Sequence, residues 1–145
     1  MNYNTPQRPY QSQINKQREE APLPPVNEIK FDGLKDDIFD SVARKSAVSI
    51  EKNNSTQIRK FYEEFCKLND KAKATKTEKE FSDILPFIKM MNSKVAYAKG
   101  RKNVNENFVV LMLSIVSQVK DKKTMQNAKL FFEAVVGFHK EIADK

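Results

Sequence analysis

Catalysis by side chains needs titratable, nucleophilic or metal-binding groups that converge, and this chain has few. It has one histidine, His139, and one cysteine, Cys66, neither in a spacing that holds zinc or builds a nucleophile and its base. His139 follows Phe138 in an apolar stretch, which suits a packing residue better than a ligand. The densest carboxylate cluster is Asp32, Asp36, Asp37 and Asp40. Two of these could face each other across Mg²⁺, but acidic residues at the start of a helix also complement its positive dipole end, and that plainer reading is preferred. There is no glycine-rich phosphate loop and no histidine–aspartate pair suited to phosphodiester hydrolysis. The expectation is a non-catalytic chain with no cofactor and no metal.

Charge is more informative. The chain carries a net +7, and between residues 81 and 102 five cations (Lys89, Lys94, Lys99, Arg101, Lys102) face a single acid, Asp83, leaving +4 in that segment. Such a stretch cannot cancel its own field by internal ion pairs, so it attracts anionic partners. Lys94 and Arg101 are seven apart, on the same side of a helix two turns apart, with Tyr97 between them as a ring on which a base could stack. Arg59 and Lys60 form a second basic pair, partly offset by Glu63 and Glu64. A lysine-rich solvated face near a helix C-terminus gives the same pattern, and spacing alone leaves both readings open.

The elements that position these residues read as helices. Leu34, Ile38, Phe39 and Val42 open a first apolar stripe. Asn53, Asn54 and Ser55 interrupt it and offer capping acceptors. Ile58, Phe61, Tyr62, Phe65 and Leu68 then mark a second helix ending near Asn69. Asp70 to Lys79 reads as a solvated linker closed by a capping box, Thr77 to Glu80. The third stripe runs through Phe81, Ile84, Ile88, Met91, Val95 and Ala98. Pro86 must kink it or start a new segment, and Gly100 stops it. Asn103 to Glu106 repeats the capping signature before a fourth helix carrying Phe108, Leu111, Met112 and Ile115. Because Val109, Val110, Leu113 and Val116 fill its other faces, that helix is expected to be buried on all sides, within the domain or against another subunit. Leu130, Phe131, Val135, Phe138 and Ile142 define the last helix, from about Lys122 to Ala143. No run alternates with period two, and only three glycines are available for turns.

The fold class is therefore all-α, a compact bundle of about five helices spanning residues 31–145. Residues 1–30 hold five of the six prolines and few aliphatics, and are expected to form a disordered N-terminal arm. Its Pro22-Leu23-Pro24-Pro25 stretch reads as plain extension rather than a peptide ligand. At 145 residues the chain suits one domain plus a tail, and 39% hydrophobic content against 31% charged leaves an extensive wet surface. One cysteine cannot form an intramolecular disulfide, and no apolar run reads as a signal peptide or membrane span, so a cytoplasmic site is expected.

Three separated stretches carry a resemblance: Ser55 to Tyr62 (STQIRKFY), Lys94 to Arg101 (KVAYAKGR) and Phe131 to Lys140 (FFEAVVGFHK). Together they resemble the small subunit of type III-A CRISPR effector complexes, the Csm small-subunit family. The resemblance implies a non-catalytic helical bundle stacking in several copies along a ribonucleoprotein filament in antiviral defence. It implies contact with guide RNA and target RNA, and with the backbone and large subunits. The matching cations are Arg59, Lys60, Lys94, Lys99 and Arg101; Tyr97 lies within the same motif and Lys102 directly follows it. With the resemblance included, RNA contact through backbone and shape becomes the favoured reading of this face. The alternative is a helical protein–protein adaptor whose basic face binds an acidic partner. DNA binding comes third, since no helix-turn-helix or zinc-finger pattern is present.

Overall fold

In the computed structural model, residues 21–143 are described and fold as an all-α bundle with no strand among them. A 3₁₀ turn, Val26–Glu28, leads through an irregular segment to a π-helical turn, Ile38–Val42. The wide turn is visible in its hydrogen bonding: the Val42 amide reaches back five residues to the Asp37 carbonyl at 3.2 Å. It runs into α1, Ala43–Ser49, followed by α2, Ser55–Ala74; α3, Glu78–Lys89; α4, Met91–Gly100; α5, Glu106–Ser117; and α6, Lys122–Ala143. Taking α3 and α4 as one interrupted helix gives the five expected from the apolar stripes.

The caps explain most boundaries. Asn54 Oδ1 accepts from the Thr56 and Gln57 amides at 2.8 and 3.2 Å, starting α2. Thr77 Oγ1 accepts from the Glu80 amide at 3.1 Å, while the Glu80 carboxylate accepts from the Lys76 amide at 2.6 Å, a capping box displaced by one residue. At α5 the cap is Asn105, which accepts from the Phe108 amide at 3.2 Å, two residues later than the Asn103 start expected from sequence. Asn105 is held in place by Asn53: the Asn53 amide group donates to Asn105 Oδ1, and the Asn105 backbone amide donates to Asn53 Oδ1, both at 2.9 Å. This reciprocal pair clamps the end of α1 to the start of α5.

Other expectations need correction. The stretch from Asp70 was read as linker because it lacks a large apolar residue, yet α2 continues to Ala74. Leu68, Asn69 and Ala72 stay on the buried face, so a methyl group alone carries the burial through the last turn. Pro86 lies inside α3 rather than at its start, and the helix breaks at Met90. Leu34, expected in the first apolar stripe, precedes the helix and is 42% exposed. The fourth apolar stripe, α5, is not covered on all sides within the chain, since Leu113 stands 48% exposed. Sequence placed residues 21–30 in the arm. They are described, and they pack: Ile29 and Pro24 are buried, Glu28 pairs with Lys45 at 2.7 Å, and Asn107 donates to the Pro22 carbonyl at 3.1 Å. A single isoleucine among prolines has no periodicity to announce it. Residues 1–20 of the expected arm lie outside the described residues.

The core centres on α6, which packs on both α1 and α2, while α4 packs on α5. Phe132 is its hub, with Tyr62, Phe65 and Phe108 rings at 5.6, 5.8 and 6.5 Å. Tilted and edge-on contacts of this kind add to burial. Phe131 meets Phe31 at 5.5 Å, tying the irregular N-terminal segment to the last helix. His139, expected as a packing residue, is buried with Nε2 3.2 Å from the Ile50 carbonyl. Asp121 caps α6, accepting at 2.8 Å from both the amide and the hydroxyl of Thr124.

Two outcomes follow. Ile29→Ala should cost about 2 to 5 kcal/mol in urea unfolding, as for any large aliphatic truncated in a packed site. Asp121→Ala should cost about 1 kcal/mol at neutral pH. The Thr124 amide holds the Asp121 carboxyl below its usual range, so its stabilisation is present above that range and lost as pH falls through the lowered value. The alanine variant should therefore lose less stability than the parent on acidification, measured by thermal melts across that range.

Candidate nucleic-acid interface

Lys60 of the first basic group meets Lys94, Tyr97 and Arg101 of the second at one cleft, while Arg59, Lys99 and Lys102 do not line it. It is about 740 Å³ in volume and lies between α2 and α4, lined by Lys60 and Phe61 from one side and Lys94, Tyr97 and Arg101 from the other. The aromatic stripe on the inner face of α2 turns that helix so that Lys60 faces this opening. On α4, Met91, Val95 and Ala98 are buried against the bundle, which leaves Lys94 and Tyr97 outward at the spacing the sequence indicated. Tyr97 is 67% exposed.

Tyr97 and Arg101 form a unit. The guanidinium carbon lies 5.9 Å from the ring centroid, and Nη1 donates to the Tyr97 hydroxyl at 3.3 Å. A planar cation beside an exposed ring presents two surfaces that bases stack on and donors that a phosphate accepts.

The remaining cations are not equivalent. Arg59 pairs with Glu63 at 3.5 Å, Lys94 pairs with Glu64, and Lys99 pairs with Glu106 at 2.9 Å. Charge counting within residues 81–102 missed the last two, because their acids come from α2 and α5. Exposed pairs of this kind are worth about 0 to 1 kcal/mol, so an arriving phosphate can compete for the lysine, but each loses part of its field. Lys60, Arg101 and Lys102 form no ion pair with a described residue. They carry the uncompensated charge.

Lys102 has a backbone peculiarity that sequence did not indicate. Gly100 was expected to end the helix, but it lies within α4, and Lys102 takes the left-handed conformation with φ 66°. The Asn103 amide closes on the Ala98 carbonyl at 2.9 Å and the Lys102 amide on the Lys99 carbonyl at 2.8 Å. This is the helix-ending geometry usually given to glycine, and a lysine there holds about 1 kcal/mol of strain.

No group of three or more His, Cys, Asp or Glu among the described residues is arranged to hold a metal. Of the four carboxylates grouped in the sequence, Asp32 pairs with Lys120 at 2.6 Å and Asp37 accepts from Ser41 at 3.3 Å. Cys66 is half-buried on α2 beside Tyr62 and Glu133, and burial with these neighbours pushes the Tyr62 hydroxyl far above its ordinary value. No described helix is long and apolar enough to cross a membrane.

A protein-family model described as Csm2 Type III-A matches residues 34–145, which covers the whole bundle from Leu34 onward. No curated protein and no solved structure matches the chain.

Replacing Lys102 by Gly should relieve the left-handed strain and raise stability by about 1 kcal/mol, while removing one uncompensated cation next in sequence to Arg101 of the cleft. A variant that melts higher yet binds single-stranded RNA more weakly is the expected result, read by thermal melting and fluorescence anisotropy.

Proposed function

Because the chain belongs to the Csm2 family of type III-A, the small subunit of the CRISPR effector complex, we propose that its cleft between α2 and α4 is where it holds RNA. The single observation that supports this is the convergence of Lys60 with Tyr97 and Arg101 in one opening, uncompensated cations around an exposed ring. Such a site grips phosphates electrostatically and stacks bases without reading their edges, which is enough where guide and target pairing supplies sequence recognition. The protein acts without a catalytic step of its own, in several copies along the guide and target RNA duplex, beside the backbone and large subunits, in the cytoplasm. Arg59, Lys60, Lys94, Tyr97, Lys99, Arg101 and Lys102 form this face, and the ion pairs rank them. Lys60, Arg101 and Lys102 contribute most. Arg59, Lys94 and Lys99 contribute after releasing an acid.

The ranking is testable. Lys60→Gln combined with Arg101→Gln should flatten the salt dependence of RNA binding, by roughly 0.7 in logarithmic slope for each lost single-strand contact. Lys99→Gln should change it less, since Glu106 already neutralises this lysine in the free protein. Loss of affinity should be the same for unrelated RNA sequences, as backbone contact requires. Parental affinity and slope in the assembled complex, from a double variant that melts like the parent, would show that the cleft is solvated surface and that the basic face serves an acidic protein.

A further inference from the structure

Adjoining the cleft, on the far side of Lys60 and Lys94, a second groove of about 700 Å³ runs between α2 and α3. Its character is different. The floor is aliphatic and aromatic: Leu68, Ile84, Phe87 and Met90, of which Phe87 is 57% and Met90 47% exposed. The groove's acids, Glu63 and Glu64, are paired with Arg59 and Lys94, whereas Lys67 and Lys71, which also line it, form no ion pair with any described residue. Leu68, Ile84 and Met90 offer a base neither a stacking partner nor a hydrogen bond, and Phe87 alone could stack, whereas all four together suit an apolar side chain flanked by carboxylates.

The same chain presents such a side chain. Leu34 stands exposed before the π-helical turn, followed closely by Asp36, Asp37 and Asp40, and none of the three has an ion pair with a described residue. We infer that the groove between α2 and α3 receives the Leu34 turn of a second copy of this chain, with Leu34 on the apolar floor and its carboxylates against Lys67 and Lys71. This rests on the reading that the protein works in several copies. The turn packs on α1 and α6 while the groove lies on α2 and α3, so the two surfaces are different parts of one copy. A contact between unlike surfaces leaves a free turn at one end of a pair and a free groove at the other. It therefore repeats in one direction instead of closing as a dimer.

The test uses the full chain in two charge-reversed forms, Asp36→Lys with Asp40→Lys, and Lys67→Glu with Lys71→Glu, each first shown to melt like the parent. Sedimentation at low salt should show self-association weakened about tenfold or more in either form alone, and restored when the two forms are mixed. In a Cys66→Ser background, Leu34→Cys with Met90→Cys should give a disulfide ladder on oxidation, dimer, trimer and beyond. Parental oligomers that survive both reversals, or a ladder that stops at dimer, overturn the inference while leaving multiple copies intact. A parent chain monomeric at every concentration, and single in the assembled complex, removes the multi-copy reading and the inference with it. Lower RNA affinity from the lysine reversals with unchanged self-association would assign the groove to nucleic acid, and that too overturns it.

Discussion

The arrangement depends most on the contact that Phe132 makes with three rings at once. By meeting Tyr62 and Phe65 of α2 and Phe108 of α5, it fixes the rotation of α2 about its own axis and the distance of α5 from α6. α4 packs on α5, so its position relative to α2 follows from the same contact. The cleft that separates Lys60 from Tyr97 and Arg101 is thus set by apolar packing on the opposite side of α2. A rotation of α2 by one residue, about 100°, would carry Lys60 away from Tyr97 and Arg101 and put Arg59 or Phe61 at its angle.

Electrostatics then tunes what packing has placed. Three acids, Glu63, Glu64 and Glu106, each quench one cation of the face, and all three pairs are solvent-exposed. Such pairs are weak enough to exchange for phosphate and strong enough to lower the field of an empty protein. The result is a basic face whose net pull is concentrated at Lys60 and Arg101, which line the cleft with the exposed Tyr97 ring, and at Lys102, which follows Arg101 outside the lining. Lys102 shows the cost of that concentration, since the chain places a cation where a glycine would relax the backbone.

Much of this was legible in sequence because helices write their faces at fixed spacing. The stripes on α2, on α3 with α4, and on α5 were read correctly, that on α6 was read at Phe131 and Val135 but missed Met125, Ala128 and the hub Phe132, and Lys94, Tyr97 and Arg101 were placed on one side from their numbers alone. What was missed needed partners from elsewhere in the chain. The ion pairs of Lys94 and Lys99 join elements distant in sequence. Ala72 is buried because α2 packs beyond Asn69, and Ile29 because it joins the core of the bundle from outside any helix. The Asn105 cap was displaced from Asn103 because Asn53, far earlier, holds the side chain that sets it. The joining of Lys60 to the second basic group is of the same kind, a tertiary event with no local signal.

Phe31 against Phe131, and Asn127 donating to the Phe31 carbonyl at 3.0 Å, join opposite ends of the described chain. The contacts of α6 with α1 and α2 are likewise made across most of the sequence. On a ribosome the first helices therefore emerge long before the surface they bury exists, and closure waits for the last segment to be made. A nascent bundle lacking α6 leaves Tyr62, Phe65 and Phe108 without the ring they pack on, so in a cell this chain is most vulnerable to aggregation and proteolysis in the moments before synthesis ends.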